Sequence, residues 1–309
     1  MKWVKKGNIY EVKNINSWMI SHAQCPTAIE LKDRIRIYFS ARDKYGESLP
    51  TFIDVSKDNP SNILYEHKQP VLEKGRKGTF DENGIIPSYI VKNEAKFYFY
   101  YAGWSRCQNV PYKNFTGLAI SDDDGLTFKK YSEGPVIGMD VYNPLSATGP
   151  CIVKLNNEYR CIYSTGIDWI KINNKMEHTY LLRYASSNDG VNWKFDTRNI
   201  IEAENEFMAH CKPACFNENG IYHMWFSKRG SHNFRESGNN SYRLGYATST
   251  DFISWSRKDD ECGIDVSENS WDSDMICYPN IIKINDKLIM FYNGNGFGKS
   301  GFGYAELQL

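Results

Sequence analysis

The stretch Trp271–Gly296, WDSDMICYPNIIKINDKLIMFYNGNG, contains one whole structural unit. Two acids, Asp272 and Asp274, lead to Pro279. An apolar strand follows through Ile281, Ile282 and Ile284, and then a polar turn, Asn285–Asp286–Lys287, of the kind a hairpin needs. A second strand, Leu288–Tyr292, ends at Asn293 and Asn295. Aligned on the proline that opens its first strand, this plan occurs five times, at Pro26, Pro87, Pro150, Pro213 and Pro279. The spacings are 61, 63, 63 and 66 residues. A steady period of that length marks a repeat architecture.

Most units continue with a third and a fourth strand. Gly117–Phe128, Leu182–Trp193 and Leu244–Trp255 share a small-residue strand, a Ser, an Asp turn and a closing aromatic, and Thr51–Asp58 is a weaker copy. The last unit has only Gly301–Leu307. Its missing strand is expected from the other end of the chain, where Trp3–Tyr10 is similar to the segment after Trp193. The expected fold is therefore all-β: a five-bladed β-propeller of four-stranded antiparallel blades, the last closed by the N-terminal strand, in one domain over residues 1–309. Ring closure protects strand edges. A β-sandwich, or two of them, leaves the period and the split last unit unexplained. A βαβ solenoid needs helical periodicity, which is absent.

Composition narrows the function. Lys+Arg and Asp+Glu both total 37, so the formal net charge is zero, which argues against a nucleic-acid or polybasic membrane partner. No long uncharged apolar run reads as a transmembrane helix, and MKWVKKGNIY lacks the apolar centre of a signal peptide. The eight cysteines form no CxxC pair. Reduced, structural thiols in a cytoplasmic protein are expected.

Antiparallel order brings the start of each first strand and the end of each second strand to one face. Carboxylates expected there are Asp81, Glu82, Glu206, Asp272 and Asp274, the candidate catalytic set. The candidate binding residues are His22, Arg42, Asp43, Trp104, Arg106, Asp168, Trp169, His210, Lys228, Arg229, Asn293 and Asn295. Carboxylates and amides suit sugar hydroxyls, aromatics suit sugar faces, and two acids suit glycosidic chemistry. Each has a plainer alternative. Glu206 is either a general acid or a solvated loop carboxylate like Glu202 and Glu204. Asp-Glu-Asn-Gly at Asp81–Gly84 is also ordinary turn chemistry. One of Asp272 and Asp274 can cap a turn. Arg42 and Arg229 either grip a carboxylate or phosphate or pair with neighbouring acids. His22 is a ligand for substrate, a ligand for a structural ion in the axial channel, or a satisfied structural His. His210, Cys211 and Cys215 match no standard zinc spacing, so no metal site and no cofactor are expected.

Five motifs carry a resemblance: SHAQCP (Ser21–Pro26), YFSARD (Tyr38–Asp43), AISDDDG (Ala119–Gly125), WDSDMICYP (Trp271–Pro279) and YNGNGFGKSGFG (Tyr292–Gly303). On these the chain resembles the five-bladed propeller glycosidases and phosphorylases of glycoside hydrolase families 32, 43 and 130, closest to a branch found near bacterial surface-polysaccharide genes. The resemblance implies a carbohydrate-active, glycosidase-like enzyme with a sugar or glycan ligand in a central pocket and an inverting mechanism; the meeting of strand ends at one face selects Glu206 as general acid, with Asp81, Glu82, Asp272 or Asp274 positioning water or another acceptor. There is one departure. Those families place an Asp directly before a strand-opening Pro, whereas here the five residues are Cys25, Ile86, Gly149, Lys212 and Tyr278. Phosphorolysis, glycosyl transfer and non-catalytic glycan binding are the alternatives. An acid pair across one pocket favours hydrolysis, a cation pair beside a single acid favours phosphorolysis or transfer, and a ring of neutralised acids favours binding alone.

Overall fold

The computed structural model describes every residue except 156, 157, 237 and 309. It begins with β1 (Lys2–Tyr10). The first unit is β2 (Ser21–Glu30), β3 (Ile35–Arg42), β4 (Ser48–Val55) and β5 (Ile63–Glu66). The second is β6 (Gly84–Asn93), β7 (Lys96–Arg106), β8 (Tyr112–Ser121) and β9 (Lys129–Lys130). The third is β10 (Ala147–Leu155), β11 (Glu158–Ile172), β12 (Lys175–Ser187) and β13 (Lys194–Asn199). The fourth is β14 (Ala209–Glu218), β15 (Ile221–Arg229), β16 (Arg243–Ser249) and β17 (Ser256–Arg257). The fifth is β18 (Cys277–Ile284), β19 (Lys287–Asn293) and β20 (Phe302–Gln308). Within each unit successive strands pair antiparallel.

β1 supplies the outer strand of the fifth unit, pairing antiparallel with β20 from Lys2 opposite Gln308 to Tyr10 opposite Phe302. The first strands touch in the cyclic order β2, β6, β10, β14, β18 and back to β2. The sheets do not close into a barrel. Apolar clusters fill the spaces between consecutive units, each sheet burying both faces. Tyr38, Phe52, Phe97 and Phe99 lie between the first and second, and Tyr100, Leu118, Tyr159 and Tyr163 between the second and third. Ile162 and Leu182 meet Met224 and Phe226, Trp225 and Tyr246 meet Met290 and Tyr292, and Ile37 and Phe39 meet Ile289 and Phe291.

The repeated Ser-x-Asp motif is a turn device. Asp123 accepts the amides of Leu126 and Thr127, Asp189 those of Val191 and Asn192, and Asp251 those of Ile253 and Ser254. These turns also join neighbouring units. The Tyr38 hydroxyl donates to Gly125 O at 2.7 Å and the Tyr100 hydroxyl to Gly190 O at 2.8 Å. Glycine is required at both places. Their φ values are 75° and 76°, and a Cβ would lie 2.2 Å and 2.6 Å from the tyrosine oxygens. The eight cysteines are free, and all but Cys107 are buried. No helix among the described residues is long and apolar enough to cross a membrane.

Candidate functional site

The residue before each strand-opening proline determines the site. At Cys25, Gly149, Lys212 and Tyr278 the backbone is left-handed, with φ of 57°, 62°, 48° and 56°. Strand register slips at these points, between Gln24 and Thr27, Thr148 and Cys151, Cys211 and Ala214, and Cys277 and Asn280. A bulge of this kind breaks the alternation of side chains and re-aims one of them. Side chains from adjacent units hold three of the bulged amides. Cys25 N–H donates to Asn293 Oδ1 at 2.7 Å, Lys212 N–H to Ser164 Oγ at 3.3 Å, and Tyr278 N–H to Ser227 Oγ at 2.8 Å.

All five pre-proline residues, Cys25, Ile86, Gly149, Lys212 and Tyr278, line one cavity of about 390 Å³. Its walls include Gln24, Arg42, Trp104, Tyr112, Asn114, Ser146, Thr148, His178, Tyr180, Arg229, Phe234, Arg235 and Tyr242. Among the described residues no aspartate or glutamate lines it. Arg42 donates to Gln24 Oε1 at 2.8 Å. Lys212 is 4% exposed and donates to Ser88 O at 2.6 Å. Arg229 is buried, with its guanidinium 3.7 Å over the Phe234 ring, and donates to His178 O at 2.7 Å and Gly230 O at 3.0 Å. The Trp104 indole N–H donates to Ser48 Oγ at 2.8 Å. Trp169 lies flat against the wall residue His178, centroids 4.2 Å apart.

Burial controls protonation in the pocket. It lowers the Lys212 and Arg42 pKa values from their ordinary ranges. It pushes His178 down to about 3, with the Arg229 charge adding to the effect, so that imidazole is neutral. It raises Cys25 to about 12 and Cys211 to about 11, so neither thiol is a ready nucleophile at neutral pH.

Of the residues singled out from sequence, Arg42, Trp104 and Arg229 line the cavity, and Trp169 backs it. The five carboxylates are placed elsewhere. Asp81 is buried, held by Lys130 Nζ at 2.6 Å and the Tyr101 hydroxyl at 3.1 Å. Asp272 is buried in the same way by Lys5 Nζ at 2.7 Å and the Tyr292 hydroxyl at 3.0 Å. In the third unit Asn143 takes the Tyr163 hydroxyl at 3.0 Å. In each case the tyrosine lies 20 residues on, so the feature belongs to the repeat architecture. Glu82 accepts the Gly78 amide at 2.8 Å, a turn contact. Asp274 is half-buried; its own amide donates to Asn295 Oδ1 at 2.7 Å. Glu206 is exposed, whereas Glu204 joins His210, Lys228, Arg257 and Asp259 in a charged network.

The remaining candidates serve local structure. Asp43 accepts the amides of Tyr45 and Glu47, Arg106 bonds Tyr45 O and Glu47, and exposed Asp168 accepts the Trp169 amide. Asn293 clamps Cys25 N–H and Ala23 O, and Asn295 binds the Asp274 and Met275 amides. His22 bonds Ser21 Oγ at 2.9 Å, and its pKa is lowered to about 3 by burial, with Arg42 and Lys299 adding to it. Among the described residues no group of three or more His, Cys, Asp or Glu is placed to hold a metal ion. Asp81→Asn is expected to cost about 1–3 kcal/mol of stability, because Lys130 loses its counter-charge and a buried tyrosine a strong acceptor. Urea denaturation checks this, and a midpoint matching the parent refutes the structural role.

No family model matches the chain. The chain is 35% identical over 310 residues to the uncharacterized protein MT1551 of Mycobacterium tuberculosis strain CDC 1551 / Oshkosh, covering 100% of both. Uncharacterized protein Rv1502 of strain ATCC 25618 / H37Rv matches at the same identity and coverage. Among solved structures, a thermostable family-43 glycoside hydrolase superposes with a TM-score of 0.67 at 17% identity, covering 94% of this chain and 90% of that one. A member of the GH130 family of mannoside phosphorylases, which contains glycoside hydrolases that target beta-1,2 mannosidic linkages in Candida mannan, gives 0.70 at 16% identity, over 100% and 90%. The Bombyx mori GH32 beta-fructofuranosidase gives 0.65 at 16% identity, over 97% of this chain and 61% of that one. The fold is that of the propeller glycosidases.

Proposed function

The chain belongs to one family with MT1551 and Rv1502, and we propose that it is a carbohydrate-active enzyme that binds its sugar in the cavity at the pre-proline bulges. The fold is read as a single five-bladed propeller domain over residues 1–309, supported by the cyclic contacts of the five first strands. The reaction is glycosyl transfer or phosphorolysis rather than hydrolysis between two carboxylates. One observation carries this: five pre-proline positions, four of them bulged, converge on the cavity, and among the described residues neither they nor its walls bring a carboxylate. Inverting hydrolysis needs a carboxyl pair about 6.5–9.5 Å apart. Without one, the acceptor supplies its own nucleophile, or the leaving group departs without a carboxylic acid. Trp104 and the tyrosines offer faces for a sugar ring, and Asn114, Ser146 and Thr148 suit its hydroxyls.

The test compares product formation from aryl glycosides and activated sugars with and without phosphate or a sugar acceptor. Product is expected only when the acceptor is present. Free sugar released equally fast in its absence restores hydrolysis. Exposed Glu206 has no part in this chemistry, so Glu206→Gln is expected to keep turnover and ligand affinity within about twofold, against the 10²–10⁴-fold loss of a general acid. A non-catalytic glycan-binding protein is favoured by the same lack of carboxylates. Glycan binding that Arg42→Ala abolishes, with no turnover of any substrate, selects that reading.

A further inference from the structure

Several cations drawn wholly or partly into this protein have an acid beside them. Arg36, 1% exposed, makes two bonds to Asp54 at 2.7 and 2.9 Å. Half-buried Lys130 meets Asp81, half-buried Lys5 meets Asp272, and at the cavity rim exposed Arg235 meets Glu177. Three cations lining the cavity have none: buried Lys212 and Arg229, and half-buried Arg42. Among the described residues none has a carboxylate within 4.0 Å, and their side-chain bonds go to neutral oxygens of Gln24, Ser88, Gly230, His178 and Tyr242. Holding a cation out of water without a counter-charge is destabilising, because the lost hydration is not replaced. Such an arrangement persists where a ligand supplies the missing charge.

A second observation lies in the same walls. Asn114 Oδ1, Thr148 Oγ1 and His178 Nδ1 are buried without a hydrogen-bond partner. Each belongs to a residue lining this cavity. Orphaned polar atoms of this kind suit ligand hydroxyls.

Resting on the carbohydrate reading above, we propose that the ligand is a phosphorylated sugar, a glycosyl phosphate or nucleotide-activated sugar, whose phosphoryl oxygens sit on Lys212, Arg42 and Arg229. Charge decides between anions. A carboxylate brings one negative charge to three cations, whereas a phosphate monoester brings about 1.5–2 and three acceptor oxygens. Arginine forks fit phosphoryl oxygens in pairs, and lysine adds a point charge. The hydroxyl-matching atoms are neutral and belong to the same cavity, so one molecule carrying both phosphoryl and hydroxyl groups satisfies both sets.

The experiment is calorimetry at fixed ionic strength with inorganic phosphate, pyrophosphate, glucose 1-phosphate, mannose 1-phosphate, UDP-glucose and the neutral methyl glycosides, on the parent, Lys212→Met and Lys212→Gln. Inorganic phosphate and pyrophosphate probe the phosphoryl subsite whatever the sugar is. Both are expected to bind the parent, at least one phosphorylated sugar is expected to bind ten-fold or more tightly than its methyl glycoside, and both variants are expected to lose ten-fold or more for every phosphoryl ligand. A methyl glycoside that binds as well as its phosphate overturns this inference and leaves the carbohydrate reading standing. Inorganic phosphate that binds as tightly as every phosphorylated sugar removes the sugar-borne ligand and the carbohydrate reading with it. Failure of every phosphoryl probe, or binding unchanged in both Lys212 variants, overturns the subsite itself.

Discussion

Removal of residues 1–12 is expected to leave the protein insoluble or unfolded at room temperature. Three large side chains are lost from buried positions: Trp3, Tyr10 and Val12. Trp3 sits edge-on against Trp225 with centroids 5.3 Å apart, and Tyr10 lies 5.0 Å from Phe39, so one strand seals the fifth unit against both neighbours. Each such side chain contributes about 1.5–3 kcal/mol by burial. The deletion also takes Lys5 from Asp272, which is 1% exposed, and stranding a buried charge costs a further 3–5 kcal/mol or so. The total rivals the whole stability of an ordinary domain, about 5–15 kcal/mol. The uncovered β20 edge, from Phe302 to Gln308, is then free to pair with another chain. Soluble fraction and urea midpoint measure the effect, with Trp3→Ala as a milder companion costing roughly 3–5 kcal/mol. A truncated chain as soluble and as stable as the parent rules out closure by β1.

That closure was legible in the sequence because it depends on a count. Four units supply a fourth strand, the fifth does not, and Trp3–Tyr10 carries the right pattern. The proline period located the first strands for the same reason: a missing amide and a fixed φ have few places in a sheet. The acids were a different matter. Asp81 and Asp272 stand at equivalent places in their repeats, and equivalence alone does not separate a catalytic ring from a structural one. Their roles follow from Tyr101 and Tyr292, each 20 residues on, and from Lys130 and Lys5, which arrive from outer strands. The tyrosine spacing was available in the sequence, whereas the lysines became visible only with the sheet order. The charge network formed by Glu204, not Glu206, depends likewise on Arg257 and Asp259, about 50 residues away.

The cavity itself had a local signal. Lys212 stands in AHCKPACF, a run otherwise fit for a buried strand, directly before the proline. Alternation of side chains misjudges this position, because the left-handed residue at the bulge leaves the alternation. Tyr112 reaches the cavity from the start of β8, Tyr180 from within β12, and Tyr242 from the loop before β16. No period in the sequence distinguishes them from core tyrosines such as Tyr100 and Tyr163, which are fully buried between units.

Lys212→Met is expected to make the ligand-free protein more stable while it removes affinity for phosphoryl groups. Methionine keeps the length and the apolar stem of lysine, and the left-handed φ of 48° constrains both alike. What changes is the charge, buried with only Ser88 O to receive it. Exchanging buried charge for apolar volume commonly gains about 1–4 kcal/mol. At roughly 2 °C per kcal/mol for a chain of this size, the melting point rises about 2–8 °C. The pH dependence identifies the cause. Burial lowers the Lys212 pKa, so between that value and the unfolded value, about 10.4, the unfolded chain keeps a proton that the folded chain sheds. Folded parent therefore gains stability as pH rises through that window, and the variant, with nothing to titrate there, does not. The advantage of Lys212→Met is largest below the window and shrinks as pH approaches 10. Saturating phosphate narrows the same gap from the other side, since it stabilises the parent alone. A variant less stable than the parent at pH 7, or a gap that stays constant with pH, shows that Lys212 is held by the fold for its own sake and not kept charged for a ligand.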